Sequence, residues 1–443
     1  MRAKTQTLGG WGRWPTSTAS VFRPERLAEL QRAVADAPSV LARGAGRSYG
    51  DQALNQSGSL VLTTRLNRLL GFDPTTGLLV AEPGVTFRDV LATFQPRGWR
   101  LPVSPGTGFA TLGGAIANDV HGKNHDGRGS FGDHVQWFDL LLASGEVRRV
   151  VRGDALFRAT VGGMGLTGVI IALAVTLDRV TGNAVLLKEQ RITDLDHFLS
   201  TLQAARASSY SVGWIDALAR GRALGRGLLE TAEPTDTTLP PERERRRRVP
   251  LDFPGFALSA PMVRAFNLAY RWRVPTAGRE RLAPVAKFLY PLDAIEDWNR
   301  IYGKRGFHQF QCVVPDAEAP RALTAMLQAI ADAGAASFLA VLKTLGPRGQ
   351  GMLSFPQPGF TLALDFPHRA TTGELLARLE RLTLDAGGRL YLAKDSVASP
   401  ASIAAMYPDL PAFQAVLAEV DPAGRFTSDM ARRLGIRGGE ARR

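Results

Sequence analysis

The stretch that decides the fold is SPGTGFATLGGAIANDVHGKNH, residues 104–125. It holds five glycines, two histidines and a lysine but few bulky side chains. A glycine-rich backbone can approach a flat or phosphorylated ligand closely, and its N–H groups can converge on an anion. The run from Gly113 to Ala117 predicts a short helix whose N-terminus faces a pyrophosphate. We interpret the stretch as a cofactor cradle, with a glycine-rich surface loop as the alternative.

The composition restricts the classes of protein that need to be considered. Of the 443 residues, 45% are hydrophobic, which is ample for a large core in two or three domains. The single cysteine, Cys312, excludes an internal disulfide framework and a multi-cysteine metal site. Redox chemistry would therefore require a bound cofactor. The formal net charge of +13 favours anionic partners such as phosphates, nucleic acid or a membrane surface.

The N-terminal residues 1–24 are polar and interrupted by Gly and Pro, and they lack the apolar run of a signal peptide. No segment reaches the roughly 20 apolar residues that cross a bilayer. The sequence therefore predicts a protein that is cytoplasmic or peripheral at a membrane, with periplasmic placement left open.

A second glycine-rich segment, GAGRSYGD at 44–51, offers phosphate-binding amides beside Arg47. It is one residue out of register with the dinucleotide pattern G-x-G-x-x-G, and predicted strands at 60–63 and 78–81 follow it instead of a helix. Residues 163–168 do match that pattern, but an apolar, β-branched run typical of a buried strand comes next. A nicotinamide-type Rossmann fold is therefore not supported.

These glycine-rich segments, with others along the chain, resemble the vanillyl-alcohol-oxidase superfamily of FAD enzymes. The matching segments are spread over nearly the whole chain, at residues 44–51, 105–107, 112–125, 129–135, 163–168, 298–303, 353–360, 390–396 and 426–434. The motifs HGKNH and AKDS at these separations resemble the branch of that superfamily that oxidises a lipid-linked phosphoribose.

The resemblance implies an α+β fold in three parts. A PCMH-type FAD-binding domain would occupy residues 1–183. A substrate-binding domain with an antiparallel sheet and flanking helices would occupy 184–388, and a C-terminal segment at 389–443 would return to the FAD domain.

The resemblance also implies the residues that contact FAD. They are Arg43, Gly44, Ala45, Gly46, Arg47, Ser48, Tyr49, Gly50, Asp51, Gln52, Ala53, Gly106, Thr111, Leu112, Gly113, Gly114, Asn118, Asp119, Val120, His121, Ile170 and Tyr391. Many covalent flavoproteins of the superfamily carry a histidine just before the serine of the first cradle. Because Arg47 stands at that place, we predict that FAD is bound non-covalently.

Period-two alternation in two predicted strands indicates a substrate pocket. In the strand at 307–314, Gln309 and Gln311 share a face, and in the strand at 338–345, Lys343 lies on an otherwise apolar face. A buried lysine needs an anion or a functional reason, whereas a lysine at a frayed strand end could reach solvent. With the resemblance, the substrate candidates are Trp214, Gln309, Gln311, Lys343, Ala363 and Lys394. Mycobacterial-type members carry a cysteine at the position of Ala363.

The resemblance places Lys394 and His121 near the flavin and the substrate as catalytic candidates. Oxidation of an alcohol needs an acceptor for the hydroxyl proton. Lys394 could accept it if burial lowered its pKa, or it could stay charged and stabilise the reduced flavin, and His121 is the other candidate base. His121 and His125 have a metal-like spacing, but Gly122 weakens a helix there and a third ligand is missing, so no metal site is predicted.

Residues 230–254 lack periodicity and carry Arg243 and 245–248, which predicts a mobile basic loop. The loop could be a solvated excursion or a flap that faces a membrane or a lipid phosphate. The following residues, 261–275, combine aromatic residues with arginines and suit an interface. No recognised nucleic-acid-binding module is present, so no nucleic-acid partner is predicted.

We therefore interpret the chain as an FAD-dependent oxidase of the 2′-hydroxyl of a polyprenylphosphoryl-β-D-ribose. Its 2′-keto product would be the first half of an epimerisation to the arabinose form for cell-envelope arabinosylation. The resemblance implies a separate NADPH-dependent keto-reductase, and a quinone or oxygen as electron acceptor. The alternatives are an FAD oxidase of a small soluble polyol or aldonolactone, and a non-catalytic flavin-binding scaffold.

Overall fold

The computed structural model describes residues 3–240, 247–335 and 338–437. The strands are β1 Lys4–Gly9, β2 Thr16–Phe22, β3 Val40–Arg43, β4 Ser59–Leu62, β5 Leu69–Asp73, β6 Leu78–Ala81, β7 Trp99–Arg100, β8 Val135–Leu141, β9 Val147–Val151, β10 Val169–Thr176, β11 Asp178–Arg179, β12 Ala184–Ile192, β13 Tyr210–Ile215, β14 Gly227–Pro234, β15 Arg247–Arg248, β16 Arg279–Pro284, β17 Ile295–Glu296, β18 Phe307–Val314, β19 Ala340–Leu345, β20 Gly359–Pro367 and β21 Arg389–Leu390. The helices are α1 Leu27–Asp36, α2 Phe87–Phe94, α3 Leu112–Ala117, α4 His125–Arg128, α5 Ala155–Thr160, α6 Leu195–Ala204, α7 Ala260–Trp272, α8 Val285–Leu289, α9 Ala319–Ala333, α10 Thr372–Asp385, α11 Pro400–Met406, α12 Leu410–Val420 and α13 Asp429–Arg433.

Three larger sheets organise the described residues. The first has the order β1-β2-β4-β3, with β2 and β3 both parallel to β4. The second is antiparallel, with the order β5-β6-β10-β8-β9. The third is antiparallel and eight-stranded, with the order β16-β12-β14-β13-β19-β20-β18-β21. The predicted α+β class is confirmed, while the division at 183/184 and 388/389 stays a prediction.

The third sheet separates an apolar face from a polar face because side chains alternate along each strand. On β18, Phe310, Cys312 and Val314 point into a core that includes residues of α9 and α10. Gln309 and Gln311, which alternate with these residues along the strand, line the cavity on the opposite side. The period-two prediction for this strand, and its bounds, are therefore confirmed.

The helix predicted at 113–117 forms as α3, one residue longer at its start. Thr111 caps its N-terminus, where the side-chain oxygen accepts a hydrogen bond from the Gly114 amide at 3.2 Å. A Cβ added at Gly113 would lie 2.6 Å from Cβ of Pro83, so only glycine permits this approach of the helix to the neighbouring loop. The strand β10 follows residues 163–168, as expected for a sequence without a Rossmann helix there.

The prediction of a loop over residues 230–254 is wrong at its start. Residues 230–234 belong to β14, which is paired with β12 on one side and β13 on the other. A strand between two neighbours has partners for its backbone hydrogen bonds, so it forms even without a regular alternation of hydrophobic residues. Residues 247–248 form a short parallel pair with β17. Arg243 and the residues 245–246 lie outside the described part of the chain.

The C-terminal residues contact the first sheet. The Val40 amide donates to the Arg425 carbonyl at 2.8 Å, and Arg433 binds both carboxylate oxygens of Asp51 at 2.8 Å. Within the described residues, none of the helices combines the length and the apolar character that crossing a bilayer requires.

Candidate active site

A cavity of about 960 Å³ lies between the glycine-rich loops and the polar face of the third sheet. Its size is at the upper end for pockets that hold a small molecule or a cofactor. One wall consists of residues 42–49 and most of 104–123, and the other of side chains from β13 and β18 to β20. Residues 391, 393 and 394, which follow β21, also line the cavity, between these two walls.

Most of the residues predicted to contact FAD line this cavity. They are Arg43, Gly44, Ala45, Gly46, Arg47, Ser48, Tyr49, Gln52, Ala53, Gly106, Thr111, Gly113, Gly114, Asn118, Val120, His121, Ile170 and Tyr391. The six predicted substrate residues also line it, namely Trp214, Gln309, Gln311, Lys343, Ala363 and Lys394. The two predicted sets therefore share a single cavity.

Four predicted cofactor residues are not on the cavity wall: Gly50, Asp51, Leu112 and Asp119. Each supports the wall from behind. Asp51 is bound by Arg433, and Asp119 accepts hydrogen bonds from the Ser354 hydroxyl and the Gly132 amide. Leu112 is fully buried in the core, and a Cβ at Gly50 would meet the Asp395 carbonyl oxygen at 1.8 Å. The resemblance assigned whole runs of consecutive residues to the cofactor, but within each run some residues contact the protein instead of the cavity.

The cavity wall fits a polar cofactor that both accepts and donates hydrogen bonds. Among the described residues, Arg47 Nε, Gln52 Oε1 and Asn118 Oδ1 are buried without a hydrogen-bond partner, and all three belong to wall residues. Buried polar atoms rarely remain unpaired, so these atoms indicate a bound ligand. A Cβ at Gly44 would lie 2.3 Å from Oγ1 of Thr111, which keeps this part of the cradle bare.

The Arg47 guanidinium lies over the Trp11 ring at 4.1 Å and near the Phe109 ring at 5.0 Å. A guanidinium held by ring stacking can bind a ligand, but it cannot form the carbon–nitrogen bond that an imidazole forms with a flavin. We therefore predict that acid denaturation releases all the FAD into the supernatant. The measurement is the flavin absorbance of the supernatant and of the precipitated polypeptide, and flavin that stays with the precipitate would contradict the prediction.

His121 is held from both sides by the predicted substrate residues. Lys343 Nζ lies 2.8 Å from His121 Nδ1 and donates to the Gly122 carbonyl at 2.8 Å. Nε2 of Gln311 lies 3.1 Å from Nε2 of His121 and 3.2 Å from Oγ1 of Thr361. Lys343 is buried, so the alternative of a frayed strand end that reaches solvent is wrong.

These contacts occupy both nitrogens of the His121 ring. The amide nitrogen of Gln311 donates to Oγ1 of Thr361 and lies against His121 Nε2, while Nζ of Lys343 lies against His121 Nδ1. Burial lowers the pKa of Lys343 to about 7, so its amine holds or releases a proton near neutral pH. Burial, followed by the positive charge of Lys343, lowers the pKa of His121 well below its usual value. His121 is therefore a neutral ring with both nitrogens engaged.

Lys394 lies at the junction of the two walls. Its Nζ is 3.8 Å from the centroid of the Tyr49 ring, and no side-chain hydrogen bond to it is present within the described residues. Burial lowers the pKa of Lys394 to about 7, although the carboxyl group of Asp365 opposes this shift. A lysine with this pKa can hold or release a proton near neutral pH.

The sequence analysis missed Asp365, a buried carboxyl group behind the cavity. Its oxygens accept hydrogen bonds from the Gln309 amide at 2.6 Å and the Tyr302 hydroxyl at 2.9 Å. Burial raises the pKa of Asp365 to about 7. A signal was available, since Asp365 and Ala363 alternate on one face of β20 and Asp365 lies opposite Gln309 in the register.

Asp293 was also missed, and no sequence pattern marks it. Its carboxylate accepts from the Thr107 hydroxyl and from the Gly108 amide, both at 2.7 Å. It thereby ties the segment around 290–297 to the cradle loop. Asp293 is on the cavity wall, and burial raises its pKa, although the hydrogen bonds from Thr107 and Gly108 and the positive charge of Arg47 oppose this shift.

The second histidine of the cradle, His125, has structural partners. Its Nδ1 accepts from the Gly346 amide at 3.0 Å, and its Nε2 lies 3.3 Å from the Ser130 hydroxyl. In residues 3–240, 247–335 and 338–437, no group of three or more His, Cys, Asp or Glu side chains is arranged to hold a metal ion.

Comparison with known proteins agrees with this geometry. Residues 18–151 match the FAD binding domain family, and residues 361–434 match the D-arabinono-1,4-lactone oxidase family. The chain is 37% identical to decaprenylphosphoryl-β-D-ribose oxidase of Mycolicibacterium smegmatis, over 97% of each chain. It is 36% identical to an uncharacterised protein of Streptomyces coelicolor, over 80% of this chain and all of the other. It is 25% identical to an alditol oxidase of a Streptomyces species, over 96% and 98% of the two chains.

The FAD-domain match covers both glycine-rich segments, at residues 44–51 and 104–125, and the relative with 37% identity extends the likeness to the third sheet. The protein is an FAD-binding oxidoreductase. The chain belongs to the family of FAD-dependent oxidases that includes decaprenylphosphoryl-β-D-ribose oxidase.

Proposed function

We propose that the protein oxidises the 2′-hydroxyl of a polyprenylphosphoryl-β-D-ribose to the 2′-ketone. The observation that carries this proposal is the 37% identity to an oxidase of that name over 97% of each chain. The likeness includes the cradle and the strands that bear Gln309, Gln311 and Lys343. The ketone would then need a separate NADPH-dependent reductase, and the reduced flavin would pass its electrons to a quinone or oxygen.

Bound FAD supplies a hydride acceptor for the carbinol carbon. The residues of the chain position the alcohol and manage its proton. Lys394 is the best-placed acceptor, because its Nζ has no hydrogen-bond partner within the described residues and its pKa is lowered to about 7. His121 suits a different role, since its nitrogens are engaged by Lys343 and Gln311. It orients these two side chains towards the substrate.

The proton-acceptor role predicts a pH dependence of flavin reduction. Lysine accepts a proton only in its neutral form, so the rate should rise as the pH increases through about 7 and level off above it. If Lys394 instead acts as a cation, the rate should fall over the same interval. Stopped-flow absorbance of the flavin under anaerobic conditions measures the rate. The Lys394→Arg variant should show no midpoint near pH 7, because arginine stays protonated.

The substrate class is tested by mixing the oxidised protein anaerobically with three compounds. These are a short-chain, water-soluble polyprenylphosphoryl-β-D-ribose, an alditol such as xylitol, and D-arabinono-1,4-lactone. We expect the polyprenylphosphoryl ribose to bleach the flavin at 450 nm at least about 100-fold faster than the other two, as a site built for one set of hydroxyl contacts discriminates strongly.

The second candidate function is oxidation of an alditol or an aldonolactone. It is favoured by the match of residues 361–434 to the lactone oxidase family and by the 25% identity to an alditol oxidase. Faster bleaching by xylitol or the lactone would establish it and overturn the lipid-linked substrate. A flavin that none of the three compounds bleaches would indicate a non-catalytic flavin-binding scaffold.

A further inference from the structure

The helix α7 turns an apolar face towards solvent. Its inward side consists of Val263 and Asn267, and the Asn267 amide donates to Asp216 at 2.7 Å. At 100° per residue, the opposite side carries Met262, Ala265, Leu268, Ala269 and Trp272. All five are exposed, with Trp272 at 63% and Met262 at 52%. We name these five residues the α7 face.

This pattern is the reverse of an ordinary surface helix, which buries its apolar residues and exposes its polar ones. The turn that precedes α7 and contacts it adds Phe256, which is 70% exposed. Single exposed apolar residues are common, but a contiguous group that includes tryptophan, leucine, methionine and phenylalanine marks an interaction surface.

The arginines near the α7 face differ in their partners. Arg273 pairs with Glu189 and Glu230, and Arg279 pairs with Glu189. Arg264 is exposed, and within the described residues it has no ion pair. A helix with an apolar face and an exposed, unpaired arginine beside it suits the interface of an anionic bilayer, whose phosphates attract that positive charge.

An aromatic path leads from this helix into the cavity. Phe266 stacks on Tyr270 with ring centroids 5.6 Å apart, and Tyr270 contacts Trp214 with centroids 4.8 Å apart. Tyr270 and Trp214 both line the cavity, whereas Trp272 and Leu268 do not. Phe266 is 42% exposed and lies one helical turn from Met262 of the α7 face, so these aromatic side chains form a route of low polarity from the cavity to the surface beside that face.

We propose that the α7 face docks the protein on an anionic phospholipid bilayer and that the prenyl chain of the substrate enters along Phe266, Tyr270 and Trp214. This proposal rests on the proposed function for the prenyl chain, while the docking itself rests on the α7 face. Tryptophan and leucine enter the acyl boundary, and Arg264 contacts the lipid phosphates. The phosphoribose then reaches the cavity from the membrane side.

The test is co-sedimentation of the FAD-loaded protein with sucrose-filled vesicles of 70% phosphatidylcholine and 30% phosphatidylglycerol. The variant is Leu268→Gln with Trp272→Gln, which removes two members of the α7 face. The matched control is Leu70→Gln with Val151→Gln, which removes two apolar residues of similar exposure, 50% and 45%, from β5 and β9. Bound flavin and the thermal melting temperature verify that each protein is folded.

We expect the wild type and the control to partition onto the anionic vesicles, and the α7 variant to bind at least ten-fold more weakly. The wild type should bind more weakly to pure phosphatidylcholine vesicles, and more weakly to the anionic vesicles in 0.5 M salt, because the arginine contribution is electrostatic. Equal binding of the variant and the wild type would overturn the proposal, as would a wild type that does not bind. A wild-type dimer in gel filtration that the variant lacks, without vesicle binding, would assign the face to a second copy of the chain.

The outcome can be separated from that of the proposed function. A short-chain substrate in solution does not need the membrane, so its bleaching of the flavin should be unchanged in the α7 variant. Failure of that substrate with the wild type would overturn the proposed function, and vesicle binding would still report on the docking surface. When a long-chain substrate is presented in the anionic vesicles, it should bleach the flavin of the α7 variant at least ten-fold more slowly than the flavin of the control.

Discussion

Replacing Lys394 with alanine is expected to leave FAD bound and to slow flavin reduction by substrate about 10²- to 10⁴-fold, the range that one acid–base group contributes. The reason is geometric. Lys394 is a half-buried amine on the cavity wall without a side-chain hydrogen-bond partner in the described part of the chain, and desolvation lowers its pKa to about 7. FAD should remain because the unpaired polar atoms of the cradle belong to other side chains, those of Arg47, Gln52 and Asn118.

Stopped-flow bleaching of the flavin measures this loss, and the flavin-to-protein absorbance ratio measures retention of FAD. The control is Lys304→Ala, which removes an exposed lysine outside the cavity and should reduce at the wild-type rate. Reduction of the Lys394→Ala variant at a near wild-type rate would contradict the assignment. Loss of FAD from that variant would instead give Lys394 a role in holding the cofactor.

The second large effect concerns Ala363, which offers no nucleophile in the cavity. Ala363 lies on β20 opposite Gln311 and Val341 and lines the cavity. A nitroaromatic compound that turnover reduces to its nitroso form can be trapped by a thiolate, through a bond from sulfur to the nitroso nitrogen. Nitroaromatic compounds should therefore inhibit the natural protein reversibly at most. Ala363→Cys should give a stoichiometric adduct, seen by intact-protein mass spectrometry.

The natural cysteine provides the internal control for this experiment. Cys312 is fully buried, its sulfur lies 3.9 Å from that of Met326, and burial raises its thiol pKa to about 12. It should stay unmodified in both proteins. An adduct on the natural sequence would show that Cys312 is reachable, and the absence of an adduct in Ala363→Cys would remove Ala363 from the face that inhibitors contact.

Local sequence signals were sufficient for the glycine-rich cradle and the substrate strands. A glycine such as Gly44 is required where a Cβ would collide, whatever else the chain does, and the resulting spacing is visible in the sequence. Strand periodicity is equally local, so the shared face of Gln309 and Gln311 and the bounds of β18 were predicted correctly. The α+β class and the FAD cofactor followed from these segments and from the family resemblance.

Local signals were insufficient for residues that pack behind the cavity wall and do not line the cavity. Gly50 and Asp119 are adjacent to wall residues but do not line the cavity, because Gly50 packs against the Asp395 carbonyl and Asp119 binds Ser354 and Gly132. Sequence adjacency carries no information about such packing outside regular elements. The start of the supposed loop at 230–234 failed for a related reason. Its strand is defined by two neighbouring strands, and cross-strand pairing can override a weak local pattern.

The sequence by itself determined the glycine-rich cradle and the shared face of Gln309 and Gln311, because glycine spacing and strand alternation are short-range properties of the backbone. The candidates Lys394 and His121 came from the family resemblance. Only the tertiary structure decided how those residues act together. The His121–Lys343 contact spans 222 residues of chain, and it converts a candidate base into a neutral, fully engaged ring. The low pKa of Lys394 likewise arises from burial between two walls that fold from distant segments. Desolvation and hydrogen-bond occupancy are properties of packing, which no local pattern encodes.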